Sequence, residues 1–386
     1  MAYPYTENGY NMFDMLSLIQ KSIRRSDYNH ASFAAKQLKG RYRSTMWNRL
    51  FVTASEDCFG VLSKELVELR KCDEVHPSDQ NLSDALALMC RAKKSRDACY
   101  FACNFVLANR KPRNFEFSES EMYGFHLQLN RIHDRIAGKI NPDGCDQLSI
   151  EENGFKEADI DYCDLFCELS EGEAAVAYNG LALQKAMKHR DMDMIGYHTN
   201  FFRENCREKF WETLLDYTLT NALDLYSEID ALRICDEVVN KRRAPLDKDN
   251  IFVAKAVMLL CYYEDDRFDS VLSNKIVKFD ELIDWSQWDI PSIERARLVN
   301  GEIPEWVYDC HTLKGKKAGK TDWDMTVSEQ AALTPLQPAY FDEASWLYTY
   351  EQDVEMGVLD EVGMKPIREF AKTHPVNPVE VIPYEE

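Results

Sequence analysis

Residues Leu18–Gly60, LIQKSIRRSDYNHASFAAKQLKGRYRSTMWNRLFVTASEDCFG, are echoed by Leu183–Leu215, LQKAMKHRDMDMIGYHTNFFRENCREKFWETLL. At a constant offset of 164 the two stretches share Gln20/Gln184, Lys21/Lys185, Asp27/Asp191, Arg43/Arg207, Trp47/Trp211 and Leu50/Leu214. Farther on, LRKCDEV (Leu69–Val75) returns as LRICDEV (Leu232–Val238), six identities in seven, with the offset one residue shorter. A period this long marks a duplicated domain of about one hundred residues, because solenoid units run to about 20–50.

The first copy reads as helix throughout. Met12, Met15, Leu16, Ile19 and Ile23 follow the i, i+3, i+4 spacing of one apolar face. Ser26-Asp27 ends that helix and caps the next, and Gly40 sits where a second helix stops. Trp47, Leu50, Phe51 and Ala54 mark a third, broken at Gly60, and amphipathic segments follow at 61–72 and 82–91. No segment alternates with a period of two. The expected fold is all-α, with two tandem, diverged helical-bundle domains, a helical connector and an irregular tail. Its boundaries are 1–111 for copy one, 112–177 for an acidic connector, 178–275 for copy two, and 276–386 for a Trp- and Pro-rich tail docked on the helices.

The chain has 386 residues and a net charge of −20, which opposes general coating of a phosphate backbone. No apolar run reaches the 18 or so residues of a membrane span. The opening MAYPYTENGYNMFDML lacks a basic, then apolar, leader pattern, and twelve scattered cysteines suit a reducing compartment. These features point to the cytoplasm and away from a membrane. The charge is polarised: Asp146–Glu173 is acidic, whereas 36–49, 91–96 and 314–320 are basic. Lys36, Arg41, Arg43, Arg49, Lys93, Lys94, Arg96, Lys314, Lys316, Lys317 and Lys320 are therefore candidate contacts for a protein partner or a nucleic acid.

Tests for chemistry find little. GKKAGKT (Gly315–Thr321) has three residues between its first Gly and Gly-Lys-Thr, whereas a phosphate-binding P-loop needs four. Cys99/Cys103 and Cys163/Cys167 are helical pairs without the CxxC knuckles of structural zinc, and His126 and His133 lie a heptad apart without a ligand set. No nucleophile elbow occurs. No cofactor, metal or catalytic residue is expected.

Three strings of the first copy, KSIRRSD (Lys21–Asp27), ASEDCFG (Ala54–Gly60) and AKKSRDACY (Ala92–Tyr100), together resemble the C-terminal helical region of the RarA/MgsA family. These are clamp-loader-related AAA+ ATPases that include the Werner helicase-interacting protein. The residues carrying the likeness are Lys21, Ser22, Ser26, Asp27, Glu56, Asp57, Gly60, Lys94, Ser95 and Tyr100, and IPEWVYDCHTLKGKKAGKT resembles tails of divergent relatives. Cys58-Phe59 departs from the family's Ile, copy two lacks the Ser-Glu-Asp and Lys-Ser strings, and the 386 residues contain neither Walker motif. The resemblance implies an oligomerising collar, a tetramer in the family, without catalytic residues. The expected function is a non-enzymatic adaptor or decoy at replication, recombination or clamp-loader-like machinery, of a kind suited to a phage or mobile element. Two duplicated chains would pair as a pseudo-tetramer. The alternative is a nucleic-acid-binding accessory factor.

Overall fold

The computed structural model describes residues 4–58, 62–92, 94, 96–102, 106–107, 112–139, 168–189, 191–244, 248–263 and 289–320. The fold is all-α. Among these residues no strand forms, and the β pairing is confined to two isolated bridges, Tyr5 with Asn11 and Cys58 with Lys94. The helices are α1 (Met12–Arg24), α2 (Tyr28–Leu38), α3 (Arg43–Asp57), α4 (Ser63–Val75), α5 (Asp79–Arg91) and the short α6 (Asp97–Phe101). There follow α7 (Glu119–Ile136), α8 (Glu171–His189), α9 (Met192–Asn205), α10 (Arg207–Asn221), α11 (Tyr226–Asn240), α12 (Ile251–Tyr263) and the one-turn α13 (Leu313–Lys317).

The helix bounds follow the sequence repeat. Helices α2 and α9 begin 164 residues apart, and so do α3 and α10, which are both 15 residues long. The caps match as well. Asp27 and Asp191 share nearly the same backbone angles (φ −87°, ψ 87° and φ −82°, ψ 89°), and their carboxylates accept from the amides of His30 and Met194. Each satisfies a first-turn amide that has no partner inside the helix. Trp47 and Trp211 are both buried.

Contacts divide the chain into two compact units, one of Met1–Asn104, Ala231–Arg242 and Asp249–Glu386, the other of Phe105–Asp230 and Arg243–Lys248. In the first, α1 turns Met15, Leu18, Ile19 and Ile23 inward against α2, α3 and α5. Each such side chain contributes about 1.5–3 kcal/mol on burial. The α1–α2 junction is closed by the amide of Asp27 on the Ser22 carbonyl at 2.9 Å, with Ser26 in the left-handed region at φ 56°. That conformation costs a residue with a Cβ about 1–2 kcal/mol.

These units cut across the expected boundaries at 178 and 275. Helix α12 is apolar on every side except at Lys255, from Phe252 and Val253 to Leu259 and Leu260, so it must be enclosed, and it packs against α3 and α6 of the first unit. The expected connector is also more than a link. In the second unit α7, begun by a Ser118–Glu121 capping box, packs against α8 and α10 with Phe125, Leu129 and Ile132 buried. Gly180 of α8 permits this: a Cβ there would lie 2.3 Å from the Phe125 ring. Residues 140–167, most of the acidic run with Cys163 and Cys167, lie outside the described residues, as do Gly60, Lys93, Ser95, Cys103 and 321–386.

Candidate functional site

Arg24 of KSIRRSD, Glu56 and Asp57 of ASEDCFG and Arg96 of AKKSRDACY meet in one buried charge network. Arg24 bonds Asp57 at 2.7 Å, and Arg96 reaches the same carboxylate at 2.7 Å and Glu56 at 2.8 Å. Asp57 and Arg96 are fully buried. Gln20 bridges Glu56 and Asp57 at 2.9 and 3.1 Å, and Arg49 donates to Gln20. Burial alone pushes Glu56 up, but the Arg96 and Arg24 guanidiniums outweigh it and hold the carboxyl at about 2. Two cations on two carboxylates leave no net charge stranded, which is the condition for burying them at all.

Backbone contacts complete the junction. Lys94 is fully buried, its ammonium on the carbonyls of Met89 (2.8 Å), Cys90 (3.0 Å) and Ala92, and desolvation lowers its pKa. Lys255 of α12 donates to the Cys58 carbonyl at 2.6 Å. Burial pushes the Cys58 thiol up to about 11 and that of Cys90 up to about 12, so both stay protonated and unreactive at neutral pH.

Lys21 takes a partner from much later in the chain. It pairs with Asp309 at 2.6 Å and donates to the Val307 carbonyl at 2.6 Å, where Ser17 also bonds. Burial lowers the Lys21 pKa more than Asp309 raises it. Asp309 also accepts from the amides of His311 and Thr312, and Thr312 caps α13 by accepting from Gly315. Leu313–Lys317, which holds the start of GKKAGKT, is thus a capped turn of helix tied to α1 through Asp309. Gly315 is required, since a Cβ would lie 1.9 Å from the Asp309 carbonyl oxygen.

Several candidate surface contacts are spent inside the fold, a correction to the sequence expectation. Lys94 and Arg96 are fully buried and offer nothing to a nucleic acid. Arg43 forms a two-pronged pair with Asp73 at 2.6 and 2.5 Å, and Trp47 Nε1 donates to the same carboxylate at 2.7 Å. Lys36 pairs with Glu294 at 3.4 Å, and Arg41 donates to the Tyr5 carbonyl and lies over the Tyr42 ring. Lys314 and Lys320 both sit 3.5 Å from Glu305. Lys316 and Lys317 remain exposed. Ser22 and Ser26 are buried with hydroxyls that find no partner among the described residues, and Tyr100 lies in α6.

Asp73, Asp309 and His198 were missed as site residues. Asp73 had a signal, because Arg43, Trp47 and Asp73 all reappear in the repeat as Arg207, Trp211 and Asp236. Asp309 had none, lying 288 positions from Lys21. In the second unit His198 is buried among Phe115, Tyr178 and Tyr197, its Nδ1 2.8 Å from Asn179 Oδ1, and burial lowers its pKa to about 4. His133 meets Glu212 at 3.0 Å and His126 meets Glu173 at 3.7 Å. Among the described residues no three metal-ligating side chains converge, and no helix is long and apolar enough to cross a membrane.

Comparison with family models, with curated proteins and with solved structures gave no match.

Proposed function

We propose that this chain is a non-enzymatic interaction protein built on a collar similar to that of the RarA/MgsA family. The observation that supports the reading is the meeting of all three family-like strings in one internal ion network, with Arg24, Arg96, Glu56 and Asp57 saturating one another. Residues that retain a likeness while serving only the fold retain a scaffold, and a scaffold of this family is an assembling one. The matching bounds and caps of α2/α9 and α3/α10 support a duplicated origin, so that two chains would present four related helical sets. The partner would be replication or recombination machinery of the clamp-loader kind, with the chain acting as an adaptor or a decoy.

The solution mass of the purified protein, alone and mixed with a RarA-type ATPase or clamp loader, tests this reading. A dimer that co-migrates with such a machine is expected. A monomer that ignores these partners would sink the proposal. Exposed Lys316 and Lys317 favour nucleic-acid binding as the second reading, which salt-sensitive DNA binding lost on Lys317→Glu would support.

A further inference from the structure

Where α1 turns into α2, a cavity of about 620 Å³ opens between Arg25, Asp27 and His30 on one side and 299–306 on the other. That is the size of a small-molecule site, about 300–1,000 Å³. We propose that this cavity binds a small organic oxyanion, a carboxylate or phosphate on an apolar body, with Arg25 as its anchor.

Arg25 is the reason. Its side chain is over nine-tenths buried, yet among the described residues no carboxylate pairs with it. The guanidinium lies 4.3 Å above the Trp306 ring and gives one hydrogen bond, to the Lys21 carbonyl at 3.3 Å, out of five donors. A desolvated guanidinium that touches no carboxylate, repelled by Arg24 and attracted only at a distance by Asp27, is costly to hold, and an anion in the cavity lowers that cost. The other charges of the lining are committed. Asp27 is held by the His30 amide and ring, and Glu305 by Lys314 and Lys320. Glu302 is exposed at the rim.

A second polar atom faces the same lack. His30 is buried and lines the cavity, and among the described residues its Nε2 has no partner, while Nδ1 is engaged by Asp27. Ile303, Pro304 and the Trp306 edge supply an apolar wall, which selects an organic body over a bare ion. The inference stands apart from the assembly reading, because the cavity lies within one unit of one chain.

Calorimetric titration of the full chain with phenyl phosphate, benzoate, inorganic phosphate and phenol tests it. At least one of the two aromatic anions should bind saturably, more tightly than inorganic phosphate, and which of them wins tells phosphate from carboxylate. Arg25→Gln should weaken binding about tenfold or more, as expected for one charged hydrogen-bonding partner. Glu302→Gln, a change on the exposed rim that leaves the fold untouched, should tighten it about twofold by removing a repelling charge. Phenol binding as well as the anions, silence from both aromatic anions, or an affinity that Glu302→Gln leaves unchanged would each overturn the proposal. The last holds even if Arg25→Gln does not fold.

Discussion

Arg96 shows how a single side chain holds three distant strings together. Fully buried, it bonds both Glu56 and Asp57 through one terminal nitrogen while the other donates to the Cys99 sulfur at 3.1 Å, a spread that a single ammonium does not reproduce. Arg96→Met should lower stability by about 3 kcal/mol, the penalty for stranding a buried charge, with Arg24 left to limit the damage. A urea midpoint that barely moves would show the network to be dispensable. His198 gives a separate pH test. Burial lowers its pKa from 6.5 to about 4, so the folded state favours the neutral ring. Its stabilising share is complete above about 6.5 and is lost as the pH falls through 6.5 towards 4. Urea midpoints should decline over this window in the wild type, and His198→Gln should flatten the decline; parallel curves would exclude His198 as its cause. Glu56 acts lower, its share lost only as the pH falls from about 4.5 towards 2.

Helix ends were legible because caps are local. Asp27 and Asp191 were readable as repeated cap residues, and each accepts the amide three positions on. Asp191→Ala should cost about 1 kcal/mol in denaturant unfolding. The GKKAGKT segment could be rejected as a phosphate loop from its spacing, yet its actual form could not be read. The turn exists because Asp309, Thr312 and Gly315 close on one another, and Lys21 supplies the counter-charge from α1. Gly315→Ala should destabilise the protein by about 1–3 kcal/mol and speed hydrogen exchange at the amides of Lys316 and Ala318. Unchanged exchange there would mean that the Asp309 backbone can yield without cost.

For the molecule as a whole, charge decides what can be bound. The net charge is −20, and basic residues that looked free in the sequence are neutralised by Glu294, Asp73, Glu305 and the Glu56–Asp57 pair. Duplex DNA should therefore not be retained at about 150 mM salt, where a surface of few free cations has lost its counterion advantage. A gel shift that persists at that salt and disappears with Lys316→Glu and Lys317→Glu would favour the nucleic-acid reading instead.

Periodic apolar spacing and cap residues were enough to place α1–α3, since those features depend on neighbours within a turn or two, and the 164-residue offset matches the starts of α2 and α3 to those of α9 and α10. The partition into units was not readable, because it turns on where a nearly all-apolar helix such as α12 finds enclosure. Nor was the pairing of charges. Lys21 with Asp309, Arg24 with Asp57 and the unmatched Arg25 lie on one five-residue stretch, and their different fates depend on which part of the chain returns to face each of them. Burial and ion pairing are properties of three-dimensional neighbours, and only the tertiary structure assigns those.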